Sequence, residues 1–171
     1  MAVKRLKLGD VFTIPLGDGR FGVGQAVRTT PQDSVFMLVF DLFLDEESAP
    51  VDLDELIADA QMRLGAWAGS ELVEIGRWKV IGNTVPREDF RRPAFKVAIG
   101  RPGNFYVEDW EMTRRRPATP EEATRLPLRT SFSAMAVEVA LKGGLGLDKW
   151  YDQFDAMLLS SPSTQEMFGD D

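Results

Sequence analysis

GDVFTIPLGDGRFGVGQAV, residues 9–27, is the stretch that decides the fold. Its first half places a large apolar side chain at every second position: Phe12, Ile14 and Leu16. This alternation predicts a β-strand, and Pro15 places that strand at an edge of the sheet or at a bend. Asp18 and Gly19 supply the positive φ angles that a tight turn needs, so the stretch predicts a β-hairpin.

The returning strand of this hairpin has one face with almost no side chains. That face carries Gly22, Gly24 and Ala26. Glycine in a strand lets another backbone or a large side chain approach closely, which favours a strongly curved sheet or a small barrel. A phosphate-binding loop is the alternative for these glycines, but such a loop opens a helix, and the residues after Ala26 do not begin one.

Further strands and one helix are predicted after the hairpin. Residues 34–44 are apolar on both faces up to Asp41, which predicts a central strand covered on both sides. Asp52 followed by Glu55 fits a helix start, and apolar residues continue on one helical face as far as Leu64. Alternating patterns then predict strands over residues 72–81, 95–99 and 105–112.

The remaining third of the chain is predicted to be a loop followed by helices. Residues 113–130 are rich in Pro, Thr and charge, which predicts a surface connection with one short helical turn at residues 120–125. Ser133 is placed to cap a helix that the pair Gly143-Gly144 ends, and a second helix is predicted from Leu147.

The pattern as a whole predicts a single α+β domain over residues 1–171. It consists of a strongly curved antiparallel sheet or small barrel, one helix inserted after the third strand and two helices at the C-terminus. Residues 160–171 are expected to form a flexible tail.

The composition narrows the possible chemistry. The chain of 171 residues contains no Cys and no His. Disulfides, thiolate nucleophiles and cysteine or histidine metal ligands are therefore excluded. The sequence has no secretory signal, and no apolar run approaches the roughly 20 residues of a membrane helix. We expect a cytoplasmic protein that uses no cofactor and no metal.

Acidic residues are concentrated in one part of the chain, whose formal net charge is −7. The candidate partner-binding residues are Asp45, Glu46, Glu47, Asp52, Asp54, Glu55 and Asp59. A calcium loop would need a glycine turn that this segment lacks. A solvated helix face and a surface for a basic partner both stay open, because opposite charge speeds the encounter of two proteins.

Basic residues are concentrated in residues 77–116, which hold ten Arg or Lys interleaved with aromatic residues. This interleaving is typical of single-stranded nucleic-acid binding, here by a small β-barrel domain. Trp78, however, alternates in register with Leu72 and Val80, which predicts a place in the core. A small carboxylate-dependent enzyme is a further alternative, although no spacing singles out a catalytic pair of acids.

Two stretches are similar to the Immunity protein 26 family of bacterial immunity proteins. The first is the opening hairpin, and its matching residues are Gly9, Asp10, Phe12, Pro15, Asp18, Gly19, Gly22 and Gly24. The second is GRWKVIGN, residues 76–83, which contains Trp78 and Gly82 and is followed by Pro86, Pro93 and Phe95. The resemblance covers about the first 100 residues.

The resemblance implies a cytoplasmic antitoxin of a polymorphic-toxin or contact-dependent competition system. Such a protein catalyses no reaction and instead binds its cognate toxin domain, covering the active site or a substrate surface. The shared residues would then be structural. Toxin recognition would lie on the acidic residues between Asp45 and Asp59, because many toxin domains are basic nucleases.

Overall fold

A computed structural model of the chain describes residues 4–47 and 52–169. The strands are β1 (Asp10–Pro15), β2 (Phe21–Thr29), β3 (Val35–Leu44), β4 (Met62–Ala68), β5 (Lys79–Asn83), β6 (Phe95–Ala98), β7 (Phe105–Glu108) and β8 (Arg115–Pro117). The helices are α1 (Leu53–Ala58), α2 (Glu71–Glu74), α3 (Pro120–Arg125), α4 (Ala134–Gly144) and α5 (Thr164–Phe168), with a 3₁₀ helix at Asp152–Met157. Helices beside antiparallel sheets confirm the predicted α+β class.

These elements form two compact units. The first unit contains β1 to β5, α1, α2, α4 and the 3₁₀ helix, and the second contains β6 to β8, α3 and α5. Each unit has its own apolar core. The single domain expected over residues 1–171 therefore stays a prediction.

The first unit is built on a five-stranded antiparallel sheet in the order β4-β3-β2-β1-β5. Register shifts, which increase the local twist of a sheet, interrupt three of its four ladders. The described strands do not close into the barrel that was the alternative prediction. At β4, the outer edge instead pairs with the segment that enters α4, where the Phe132 N–H donates to Trp67 O at 2.8 Å.

Strands β1 and β3 both lie inside this sheet. The first six residues of β3 are buried, which confirms a central strand covered on both sides. Pro15 predicted an edge of the sheet or a bend, and the edge is wrong because β1 pairs on both sides. Strand β5 follows β1 only as far as Thr13, so the missing N–H of Pro15 interrupts no pairing with β5.

Strand β4 was not predicted from the sequence. The helical face was expected to reach Leu64, but α1 ends at Ala58, and Leu64 lies in β4 opposite Val39. Pairing with β4 satisfies the backbone hydrogen-bonding groups of the buried strand β3. The free energy of this pairing outweighs the local helical periodicity of the sequence. The strand predicted over residues 72–81 also begins late, because α2 comes first and Gly76, at φ +76°, turns the chain before β5.

The helix capped by Ser133 is confirmed, since the Ser133 hydroxyl accepts from the Ala136 N–H at 3.1 Å at the start of α4. The helix predicted from Leu147 is shorter than expected and is a 3₁₀ helix. Its buried residues Phe154 and Met157 are three apart, which is the spacing that a 3₁₀ helix places on one face.

The second unit contains the predicted hairpin of β6 and β7, extended by β8. The helical turn predicted at residues 120–125 is α3, so the connection expected over 113–130 holds both β8 and α3. Part of the tail expected to be flexible is also helical, because α5 begins with a capping box between Ser163 and Glu166. Met167 and Phe168 of α5 pack on the core of this unit. No helix among the described residues is long and apolar enough to cross a membrane.

The bare face of β2 makes room for two large side chains. A Cβ at Gly24 would lie 2.6 Å from Phe12 Cζ, and one at Gly22 would lie 2.5 Å from Leu141 Cδ2 of α4. Phe12 in turn stacks on Trp78, with ring centroids 5.2 Å apart and planes 5° apart. The glycines thus permit the close approach that was predicted. The side chains that approach them are Phe12 and Leu141 of the core, and the described strands form no barrel.

Candidate partner-binding surface

The seven acidic candidates lie on both sides of residues 48–51. Asp45, Glu46 and Glu47 follow β3, whereas Asp52, Asp54, Glu55 and Asp59 belong to α1 or flank it. Asp52 is the N-cap, and its carboxylate accepts from the Glu55 N–H at 3.1 Å. Six of the seven are exposed, and Glu47 is half-buried. We call these seven residues the acidic surface.

Both parts of the acidic surface contact β5 or the residue after it. Lys79 Nζ, at the start of β5, lies 2.5 Å from Glu47 Oε2. Beyond the end of β5, the Thr84 hydroxyl donates to the Asp54 carboxylate. Leu53 packs over Gly82, where any Cβ would overlap its side chain. Gly82 thus lets α1 lie directly on the strand, and the two parts of the acidic surface are held along one element.

Arg87 and Gln25 fix the other end of α1. The Arg87 guanidinium donates to the carbonyl oxygens of Ile57 and Ala60, which lie at the C-terminal end of the helix. Cations are favoured there because the helix dipole is negative at that end. Gln25 is fully buried in β2; its Nε2 donates to Val85 O at 3.0 Å and its Oε1 accepts from the Arg87 N–H at 3.0 Å. A core residue of the opening hairpin therefore positions the loop that holds α1.

Four acids, Asp45, Glu46, Glu55 and Asp59, are exposed and form no close ion pair with a described residue, although Arg20 interacts at longer range with Asp45 and Arg87 with Asp59. Within residues 4–47 and 52–169, no Arg or Lys forms an ion pair with any of the four. Arg87, the cation nearest the end of α1, is engaged by Asp89 at 2.5 Å. The result is a fixed and negatively charged patch.

Sequence reasoning missed the loop after β5 as part of this region. Residues 85–89 lie between the strands predicted over residues 72–81 and 95–99 and were assigned no role, but Val85 is 80% exposed and lines the groove beside α1 with Pro86. The sequence feature that could have indicated a binding role for this loop is the apolar pair Val85-Pro86, followed closely by the acids Glu88 and Asp89.

The residues shared with the family resemblance lie in the sheet and its turns, where they make packing contacts and hydrogen bonds. Gly9, at φ +86°, packs against the backbone of Thr84, and the Asp10 carboxylate accepts from Asn83 Nδ2 at 2.9 Å. Asp18 accepts from the Arg20 N–H at 3.0 Å within the turn, where Gly19 has φ +92°. Pro15 closes β1, and Phe12, Trp78, Gly22, Gly24 and Gly82 make the packing contacts described above. These contacts support a structural role.

A buried carboxylate lies next to Trp78. Glu138 of α4 accepts hydrogen bonds from Arg77 Nε at 2.9 Å, from Trp78 Nε1 at 3.1 Å and from Lys142 Nζ at 2.7 Å. Burial raises the pKa of Glu138, but these three donors outweigh burial and lower the pKa to about 2. The carboxylate is therefore ionised at neutral pH and locks α4 to the segment before β5.

The basic residues of 77–116 are mostly paired with acids within their own units. In the first unit these pairs are Arg77 with Glu138, Lys79 with Glu47 and Arg87 with Asp89. In the second unit they are Arg91 with Glu166, Arg92 with Glu111, Arg114 with Asp109, Arg115 with Glu108 and Arg116 with Glu122. Ion pairing at these positions reduces the positive potential that nucleic acid would need.

The carboxylates also lack the pattern of an acid–base pair. Every described carboxyl group with a resolved shift has a lowered pKa, including Glu122, whose hydrogen bond with Arg116 lowers it to about 2. A carboxyl group that acts as a general acid near neutral pH needs a raised pKa. No group of three or more acidic side chains is placed to hold a metal in the part of the chain that the structure describes.

The fold and the surface together define an α+β protein with exposed acidic residues beside an antiparallel sheet. The family model for Immunity protein 26 matches residues 7–101, and the chain belongs to this family. The match covers β1 to β5 and β6, and it agrees with the extent of the resemblance seen in the sequence. Membership of an immunity protein family suggests a toxin-neutralising role and implies a toxin as the partner. No curated protein and no solved structure matches the chain significantly.

Proposed function

We propose that this chain is a cytoplasmic immunity protein that binds a cognate bacterial toxin domain through the acidic surface and covers the toxin's active or substrate-binding surface. The observation that carries this proposal is the exposure of Asp45, Glu46, Glu55 and Asp59, none of which forms an ion pair with another described residue. The family match supports the choice of a toxin as the partner.

The charge of the surface indicates the charge of the partner. A toxin domain that acts on nucleic acid carries a basic substrate surface, and an acidic patch is complementary to it. Complementary charge accelerates association and fixes the orientation of the two proteins. Lys79 and Thr84 bind the side chains of Glu47 and Asp54, and Arg87 binds the carbonyl oxygen of Ile57. The backbone that carries the acids is therefore positioned before binding, and ordering it costs little conformational entropy.

The proposed function predicts that a toxin domain is encoded immediately upstream of this gene, and the experiment measures binding to that domain. The two proteins are expected to form a stable stoichiometric complex, and the complex is expected to lack toxin activity. In a variant with Asp45→Asn, Glu46→Gln, Glu55→Gln and Asp59→Asn, the association rate constant should fall about tenfold or more at low salt. The difference should shrink as salt screens the charges.

A matched control removes four exposed acids elsewhere: Glu74→Gln, Glu121→Gln, Asp148→Asn and Asp152→Asn. Both variants carry the same net charge. The control also breaks the exposed ion pairs of Glu74 with Arg5 and of Glu121 with Arg125, each of which contributes about 0.5 kcal/mol or less to stability. Equal loss of binding in the two variants would show that overall charge, not the acidic surface, attracts the toxin. Absence of any complex with the wild-type chain would contradict the proposed function itself.

A further inference from the structure

A groove runs along α1 in the first unit, between the helix and residues 85–89. It encloses about 380 Å³. Ile57 and Ala58 of α1 form one apolar wall, and Val85 and Pro86 form the other. The groove adjoins the acidic surface, since Asp54 belongs to both.

The two walls are held in place before any partner arrives. Gln25 fixes the backbone of Val85 and Arg87 from inside the sheet, with both hydrogen bonds at 3.0 Å. Arg87 then ties this loop to the last carbonyl groups of α1. A preformed groove avoids the entropic cost of ordering a loop on binding.

The rim of the groove is acidic on both sides. Asp54 lines the helical side, and Glu88 and Asp89 line the loop side. Arg87 is the cation among the lining residues, and its guanidinium already contacts Asp89 and the helix carbonyls. An occupant of this groove therefore meets an apolar centre surrounded by negative charge.

We infer that the groove receives an apolar side chain of the cognate toxin domain that is flanked by Lys or Arg. This inference rests on the proposed function and adds the chemistry of the toxin segment. An apolar anchor in a preformed pocket, with charged residues around it, is the usual arrangement of the few residues that dominate binding energy. The acidic rim favours a basic flank and disfavours an acidic one.

The absence of cysteine from the sequence allows a direct test of location. Val85→Cys introduces a thiol at the mouth of the groove, and Ile75→Cys introduces a matched thiol elsewhere on the first unit. The two native side chains are similarly exposed, at 80% and 74%. In the complex with the upstream-encoded toxin domain, alkylation of the thiol at 85 should slow about tenfold or more, whereas alkylation at 75 should be unchanged.

Affinity provides a second readout. Val85→Ser removes the apolar wall but keeps the backbone groups that bond to Gln25, and it should raise the dissociation rate constant about tenfold at any salt concentration. Ala58→Arg fills the groove and adds a positive charge, and it should weaken binding at least as much. Ile75→Ser and Gln153→Arg are the controls and should bind like the wild-type chain.

The outcomes separate this inference from the proposed function. If the wild-type complex forms and the Val85 and Ala58 variants bind as tightly as their controls, the groove inference is overturned while the proposed function stands. If no complex forms with the wild-type chain, both are overturned. Protection at 85 together with faster dissociation of the Val85→Ser complex supports the inference.

Discussion

The backbone N–H of Arg87 donates to the side-chain oxygen of Gln25 at 3.0 Å, and this bond links the interior of the sheet to the loop beside α1. Gln25 is fully buried and also donates to the Val85 carbonyl, so its carboxamide satisfies two backbone groups of the loop. The position of the candidate binding groove is thus fixed by a residue that no partner can touch.

Replacing Gln25 should therefore destabilise the first unit. Gln25→Leu keeps a similar volume but leaves the Val85 carbonyl and the Arg87 N–H without their partner, which we expect to cost about 1–3 kcal/mol. Urea unfolding at neutral pH measures the free energy, and hydrogen exchange at the Arg87 amide should become faster. The exposed Gln153→Leu is the control and should stay within about 0.5 kcal/mol of wild type. Equal stability of the two variants would contradict the anchoring role of Gln25.

The glycines of β2 differ in what surrounds them, and their replacements should differ in cost. Gly24→Ala places a Cβ against the ring of Phe12 and 3.0 Å from Leu38 O, so we expect a loss of about 1–3 kcal/mol through overpacking. Gly22→Ala meets the end of the Leu141 side chain and should cost less. Gly144→Ala, whose nearest neighbour would lie 3.5 Å away, is the control and should not destabilise. Thermal or urea unfolding measures the stability of the three variants and checks that Gly24→Ala loses most and Gly144→Ala least.

The Glu138 carboxylate predicts a dependence of stability on pH. The pKa of Glu138 in the folded protein is about 2, below its ordinary value of 4.5, so its contribution to stability is full above about pH 5. It is lost as pH falls towards 2, because the unfolded chain then binds the proton more readily. The loss is on the order of 3 kcal/mol.

Glu138→Gln supplies the comparison for this pH profile. The unfolding free energy of the wild-type chain should fall more steeply between pH 5 and pH 3 than that of the variant. Glu122, whose pKa is also about 2, is present in both proteins and cancels in the difference. Parallel profiles would show that the ion pairs of Glu138 do not contribute as proposed.

A buried ionic cluster is expected to stabilise the second unit. Glu108 is buried, with Arg115 and Arg129 each 2.6 Å away. Glu108→Gln removes the carboxylate that lies against the buried Arg129 guanidinium, and we expect a loss of about 3–5 kcal/mol. Glu121→Gln breaks only an exposed pair with Arg125 and should cost about 0.5 kcal/mol or less. Circular dichroism during urea unfolding compares the two.

The sequence was sufficient to predict the opening hairpin, the central strand and the α+β class, because these depend on local alternation and turn residues. Residues 62–68 escaped prediction because Leu64 continues a helical spacing, whereas its actual environment is set by pairing with Val39 of β3. Contacts between segments distant in sequence outweigh local pattern at such positions.

For the acidic surface, the sequence predicted only which acidic residues are concentrated in one segment and not how they are arranged. Which acids are exposed and which are engaged depends on Lys79 and Thr84, more than 20 residues further along the chain, and the groove depends on Val85 and Gln25, 60 residues apart. No local pattern in the sequence predicts contacts between residues so far apart along the chain.

The support of α1 by Leu53 on Gly82 and by Arg87 at its C-terminal end has an evolutionary consequence. The helix follows the interior strand β3 and precedes the edge strand β4, yet its exposed acids take no part in the sheet. Under the proposed function, substitutions at Glu55 and Asp59, which form no ion pair with a described residue, would change the toxin that is recognised without altering the sheet. Such a protein would adapt to a diversifying toxin by surface substitutions alone, and protein design could retarget it in the same way.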